Sequence, residues 1–161
     1  MYFRIALVGK AGSGKTTLAK YLEVKYHCLR RSFAKPIYDI AKEYFGMEGK
    51  NRTLLQQIGT KMREIDKNVW VNYLTKHLDN FKYSVVIDDC RFKNEYTTLK
   101  YKNFVIIKII GRQWKMSKKQ KNHPSEKEME SIKADYVLDN SGELSKTLMN
   151  LDKIMEEISH E

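Results

Sequence analysis

The sequence predicts a three-layer α/β architecture, a parallel sheet of about five strands with helices on both faces. Three observations predict it. Short β-branched runs alternate along the chain with stretches whose apolar residues recur every three or four positions. The runs at 84–88 and 104–110 are rich in β-branched residues, as suits strands covered on both faces of a parallel sheet. The chain has only 2 prolines, no internal repeat and no linker-like composition, so its 161 residues read as a single domain, 1–161.

Each element has its own local reason. Residues 2–8 are β-favouring and stop at Gly9; residues 15–25 then carry Leu18, Tyr21 and Leu22 on one helical face. Residues 28–33 suit a short second strand. Pro36 fits the first turn of a helix bearing Ile37, Ile40, Ala41, Tyr44 and Phe45 at helical spacing, stopped by Gly46. Two further helices are expected, over 52–65 (Leu54, Leu55, Ile58, Met62, Ile65) and over 68–81 (Val69, Tyr73, Leu74, Leu78). Strands follow at 84–88, 104–110 and 136–138. Asn140 stands three residues before Glu143, a capping arrangement for a last helix with Leu144, Leu148, Leu151, Met155 and Ile158 on its buried face.

Composition narrows the function classes. With 42% hydrophobic and 11% aromatic residues the chain can pack a core. Its apolar runs are far shorter than the roughly 20 residues of a membrane-spanning helix. The N-terminus has no signal-peptide pattern, so a cytoplasmic location is expected. Cys28 and Cys90 are isolated and show no zinc spacing with the 4 histidines, which makes them reduced packing residues. The 30 Lys+Arg against 20 Asp+Glu give a net charge of +10, and this points to an anionic ligand: nucleic acid, an acidic membrane surface, or a small phosphorylated molecule.

Residues 9–16, GKAGSGKT, match G-x-x-x-x-G-K-[ST] and lie between an apolar strand and an amphipathic helix. The glycines let successive backbone N–H groups of Gly12, Ser13, Gly14, Lys15, Thr16 and Thr17 curl around phosphate oxygens, and the helix N-terminus adds its positive dipole end. Lys15 is placed to neutralise β- and γ-phosphates, and the Thr16 hydroxyl to reach Mg2+. Ser13 does not sit in a hydrolase elbow, because Ala11 stands where G-x-S-x-G needs its first glycine. The second acidic feature is Asp88-Asp89, at the end of the apolar strand 84–88. Adjacent strand residues face opposite ways, so the two carboxylates have different jobs. One of them is expected at the phosphates or the metal. Arg91 follows, where a guanidinium can clamp a phosphate bidentately.

The order and spacing of several segments carry a resemblance: GKAGSGKTT at 9–17, FAKPIYDIAKEYFG at 33–46, RTLLQQIGTKMREID at 52–66, VVIDDCRFKNE at 85–95, HPSE at 123–126 and ADYVLDNSGEL at 134–144. Together they resemble the deoxynucleoside monophosphate kinases of bacteriophages and large DNA viruses, within the P-loop nucleotide kinases. The resemblance implies a P-loop kinase fold, ATP and Mg2+ as cofactors, and transfer of the γ-phosphoryl to a deoxynucleoside monophosphate. It implies an acceptor-binding helical region over about 33–80, with Lys35, Arg52, Gln56, Arg63 and Trp70 as its residues. It favours Asp89, with Arg91, as the catalytic-site acid, and leaves Asp88 with Thr16 for the metal, directly or through water. Asn140 and Gly142 match the family's late loop beside the ATP base. Lys93 departs from the proline common at that position in relatives.

Residues 111–124 lie where such kinases have a lid. Positions 112–122 carry Arg112, Lys115, Lys118, Lys119 and Lys121 with no acidic residue, so five of the ten net charges fall there. Arg112, beside the strand end, is read as a catalytic and ATP-binding cation. Two other functions compete: a kinase for another small phosphorylated acceptor, and a nucleic-acid-binding P-loop ATPase. No nucleic-acid module is recognisable, which argues against the latter, and no membrane partner is expected. The oligomeric state is left open, a homodimer included.

Overall fold

The computed structural model describes residues 2–76, 78, 82–112, 128–129 and 131–160. In chain order these form β1 (Arg4–Val8), α1 (Lys15–Tyr26), β2 (Leu29–Arg31), α2 (Lys35–Phe45), α3 (Arg52–Ile65), α4 (Val69–Lys76), β3 (Val85–Ile87), α5 (Lys93–Tyr101), β4 (Val105–Ile110), β5 (Tyr136–Asp139) and α6 (Leu144–His160). The strands make one five-stranded sheet in the order β2-β3-β1-β4-β5. β1 runs parallel to both β3 and β4, and β4 runs parallel to β5. The expected α/β class with a parallel sheet is therefore the observed one.

The chain divides into two compact units, one of Met1–Arg30 with Lys82–Glu161 and one of Arg31–Phe81. In the first unit, alternate strand residues Ile5, Leu7, Val86, Ile107, Ile109 and Leu138 form the main core with Leu18, Ala19 and Leu22 of α1 and Leu151, Ile154, Met155 and Ile158 of α6. The intervening residues Ala6, Val8, Val85, Ile87 and Ile106 are equally buried. Both faces of the sheet are thus covered, as the uninterrupted apolar runs require. Cys28 and Cys90 are buried free thiols. Burial first, then the charge of Glu23, pushes the Cys28 thiol up to about 11.

In the second unit α2 ends on Gly46 in the left-handed region (φ 61°), and the Gly46 and Met47 N–H groups return to carbonyls of Lys42 and Ala41. α3 opens on Asn51, whose side chain accepts from the Leu54 N–H at 3.0 Å. α2 and α3 meet where α3 has no side chain: a Cβ on Gly59 would lie 3.3 Å from Ile37 Cδ1. The Gly59 carbonyl accepts from the Trp70 indole N–H at 3.3 Å, which ties α4 to α3.

Three elements differ from expectation. The helix expected over 68–81 is described as Val69–Lys76, with 77 and 79–81 outside the described residues. α5 was not anticipated, because its first residue is preceded by Phe92, which has no capping oxygen. Glu95, 2% exposed, starts the helix instead, its Oε2 accepting from the backbone N–H groups of Arg91 (2.8 Å) and Phe92 (3.0 Å). Asn140 does not cap α6, which begins at Leu144. Its buried side chain is turned to the phosphate loop, as described next.

Candidate active site

The loop between β1 and α1 has the form its glycines predict. Gly12 and Gly14 adopt positive φ (81° and 96°). A Cβ on Gly9 would lie 2.6 Å from the Ile109 carbonyl, and one on Gly14 would overlap the Asn140 amide. Only glycine fits either place. The Lys15 side chain is 9% exposed and folds back over the loop. Its ammonium donates to the carbonyls of Gly9 (2.6 Å) and Lys10 (2.9 Å) and to Ser13 Oγ (3.4 Å). The buried Lys15 ammonium is therefore held on loop carbonyls, beside the positive end of α1.

Thr16, in the first turn of α1, donates its hydroxyl to Asp88 Oδ2 at 3.2 Å. β3 ends at Ile87, so Asp88 is the first residue past the strand, and it is 6% exposed. A buried carboxylate needs a partner, and Arg30 supplies it: Nε to Oδ1 at 3.1 Å and Nη2 to Oδ2 at 2.6 Å. Burial pulls the Arg30 pKa down, but the bonds it donates to Asp88 and the charge of that carboxylate outweigh this and hold it above the ordinary arginine value. Arg30 was not among the residues picked from the sequence. Fifty-eight positions separate it from Asp88, and they meet because β2 is the neighbour of β3. Asp89 and Arg91 follow in the same loop, both half-buried.

A second strand end converges on the phosphate loop. Asn140, 3% exposed, donates its amide to the Ser13 carbonyl at 2.9 Å and accepts from Thr147 Oγ1 of α6 at 3.0 Å. Because a carbonyl only accepts, the amide orientation is fixed by chemistry. At the end of β4, Arg112 Nη2 donates to the Gly142 carbonyl at 2.5 Å, and so joins the strand end to the loop after β5. Arg112, Asn140 and Gly142, expected together, are together in this loop pair. Residues 113–124 of the expected lid, with Lys115, Lys118, Lys119, Lys121 and the HPSE segment, lie outside the described residues.

In the second unit, Arg52, Gln56 and Arg63 fall on one stripe of α3 at four- and seven-residue steps, with Gly59 between them. Arg52 and Gln56 are exposed. Arg63 is half-buried and donates to the Gly59 carbonyl at 3.0 Å. Trp70, 3% exposed, shares that carbonyl, so it forms part of the packing beneath the stripe. Lys35 is exposed and pairs with Asp39 at 2.5 Å.

The donor set suits Mg2+. Thr16 and Asp88 supply hard oxygens beside the loop. Among the described residues no cluster of three or more His, Cys, Asp or Glu could hold a metal by itself.

Comparison with known proteins agrees with this geometry. Residues 50–151 match the family model "Deoxynucleotide monophosphate kinase". A protein of Acanthamoeba polyphaga mimivirus whose name assigns it to deoxynucleotide monophosphate kinase is 32% identical, over 85% of this chain and 88% of its own. Among solved structures, shikimate kinase from Aquifex aeolicus superposes with a TM-score of 0.64 at 17% identity, covering 98% of both chains. A gluconokinase from Sinorhizobium meliloti superposes at 0.53 and 13% identity, covering 98% of this chain and 96% of its own. These two share the fold. The phosphate loop, the parallel sheet that carries it and the extended sequence match lead to one assignment: the chain belongs to the deoxynucleotide monophosphate kinase family of P-loop kinases.

Proposed function

We propose that the protein transfers the γ-phosphoryl group of ATP to a deoxynucleoside 5′-monophosphate, in a Mg2+-dependent reaction that yields ADP and the deoxynucleoside diphosphate. The observation that carries this reading is the buried Lys15 ammonium, held on the Gly9 and Lys10 carbonyls at the N-terminus of α1 beside the Thr16–Asp88 pair. In this reading an oxygen of the acceptor monophosphate attacks the γ-phosphorus, the bond to the β–γ bridging oxygen breaks, and ADP leaves. There is no covalent enzyme intermediate for the chain to form, so its residues act by position and charge.

The backbone N–H groups of 12–17 hold the donor phosphates, and Lys15 neutralises the charge that moves toward the leaving oxygen. Thr16 and Asp88 would hold the ion, which would offset the negative charge of the donor phosphates. Arg30 orients Asp88 through its two bonds to the carboxylate. Asp89 and Arg91 serve the acceptor side of the reaction, and Arg112 the donor. Lys35, Arg52, Gln56 and Arg63 of the second unit bind the acceptor nucleotide, Trp70 forming the wall behind them. Asn140 acts on the donor through the phosphate loop that it holds, and Gly142 through its contact with Arg112.

The test is an acceptor panel. Purified protein with Mg-ATP is given each deoxynucleoside and ribonucleoside monophosphate, and separately single-stranded nucleic acid, with ADP release followed. Turnover with one or more deoxynucleoside monophosphates is expected. Nucleic-acid-stimulated hydrolysis without acceptor turnover would instead support an ATPase.

A further inference from the structure

The Asp88 carboxylate already carries a cation. Arg30 Nε donates to Oδ1 at 3.1 Å and Nη2 to Oδ2 at 2.6 Å, while Thr16 Oγ1 donates to Oδ2 at 3.2 Å. An ionised carboxylate offers about four lone-pair sites, so these three bonds leave one, on Oδ1. The Asp88 side chain is 5% exposed and that of Arg30 32%. The carboxylate end of the pair is therefore shielded from water, and the guanidinium end reaches it.

Charge decides what such a pair does to a second cation. With the guanidinium in place the pair is neutral, and a divalent ion brought beside it meets attraction from one unit charge and repulsion from the other at a similar distance. Burial limits screening, so the repulsion persists at ordinary salt. Arg30 also has other carboxylates within electrostatic reach: the charges of Glu23 in α1 and of Asp89 in the loop after β3 both act on it. Both of these are half-buried. A cation arriving on Asp88 can thus displace the guanidinium without leaving it far from negative charge.

We propose that Arg30 is a resident counter-ion that closes the metal position to free divalent cations, so that an ion is retained there only together with nucleotide phosphates, whose negative charge outweighs the guanidinium. This role rests on the reading above in which Thr16 and Asp88 are the ion's protein ligands, and it adds to that reading an order of events, ion and nucleotide arriving together. Arg30 is a positioning residue, acting on the reaction through Asp88.

Titration of nucleotide-free protein with Mn2+ reads this without turnover, because Mn2+ takes the same oxygen ligands as Mg2+ and its free form is counted by electron paramagnetic resonance. Arg30→Gln removes the charge and keeps a donor for Asp88, whereas Arg30→Lys keeps the charge and loses the fork. Arg30→Gln is expected to bind Mn2+ at least about tenfold more tightly than wild type, Arg30→Lys to stay close to wild type, and Asp88→Asn added to Arg30→Gln to abolish the gain. Equal or weaker Mn2+ binding by Arg30→Gln overturns the proposal, as does a gain that survives Asp88→Asn. A purely structural Arg30 would lower the melting temperature of the variants and leave their Mn2+ affinity unmoved. Since removing one partner of a buried pair destabilises the fold, Arg30→Gln is also melted in chelator and in Mn2+. A variant unfolded in chelator and folded in Mn2+ supports the role, and one unfolded in both overturns it. If the acceptor panel shows no phosphoryl transfer while Arg30→Gln gains Mn2+, the kinase reading falls and the counter-ion role stands; transfer by wild type without that gain has the opposite meaning.

Discussion

Asn140 holds two distant segments with one amide. Its nitrogen donates to the Ser13 carbonyl in the phosphate loop, and its oxygen accepts from Thr147 in α6. All three groups are buried, so removing the amide takes this donor from the Ser13 carbonyl and leaves the Thr147 hydroxyl only its longer bond to the Glu143 carbonyl at 3.3 Å. Asn140→Ala is expected to cost about 2 kcal/mol of stability, visible as a melting temperature lower by roughly 4–8 °C. It should weaken ATP binding as well, because the Ser13–Gly14 turn loses its support. A variant that melts and binds ATP like wild type would remove Asn140 from this role. The contrast between Lys15 and Arg30 shows which residue roles a sequence can reveal. Lys15 acts within eight consecutive residues whose spacing is itself the geometry, so it was legible. Arg30 and Thr147 act through partners brought near by strand order and helix packing. No local pattern marks them, and Asn140 was read as a helix cap and as part of the loop beside the ATP base, not as a support of the phosphate loop.

At the scale of elements, apolar periodicity was a sufficient guide wherever a helix lays one stripe on a core. α2, α3 and α6 were legible for that reason, and β1, β3 and β4 by their unbroken β-branched runs. α5 was not, since its sequence KNEYTTLKY has a weak stripe and its start is fixed by a buried glutamate rather than a capping side chain. α1 and α6 are joined outside the core as well. Asp152 of α6 accepts from Tyr21 (2.8 Å), Tyr26 (2.8 Å) and Lys25 (2.7 Å). Burial pushes the Asp152 carboxyl up, but the bonds from Lys25, Tyr21 and Tyr26 outweigh it and hold the carboxyl below its ordinary value of 3.8. A carboxyl depressed in the folded state adds stability above its unfolded pKa and loses it as pH falls through the folded one. Asp152→Asn should therefore melt below wild type at pH 7, by about 1–2 kcal/mol, and the difference should shrink in melts run below pH 3.8. A difference that stays constant down to pH 2 would show that the carboxylate charge has no share in joining the helices.

For the whole molecule, the net charge of +10 is a statement about ligands. Basic groups stand at the phosphate loop (Lys10, Lys15) and at the end of β4 (Arg112). On the reading proposed here they serve small polyanions rather than a nucleic-acid backbone. The α/β class and its five strands were legible, because alternating strands and helices admit few parallel arrangements. The division into a sheet unit and a helical unit, Arg31–Phe81, was less so, since no proline- or glycine-rich linker marks it. The central claim is that Lys15 and its loop move a phosphoryl group from ATP to a deoxynucleoside monophosphate. The most direct measurement follows γ-labelled ATP with the accepted monophosphate and Mg2+, in wild type and in Lys15→Ala. The account predicts label in the deoxynucleoside diphosphate with wild type and a loss of at least about 100-fold in Lys15→Ala, which should still fold. Label that appears only as inorganic phosphate, or equal transfer by the two proteins, would contradict it.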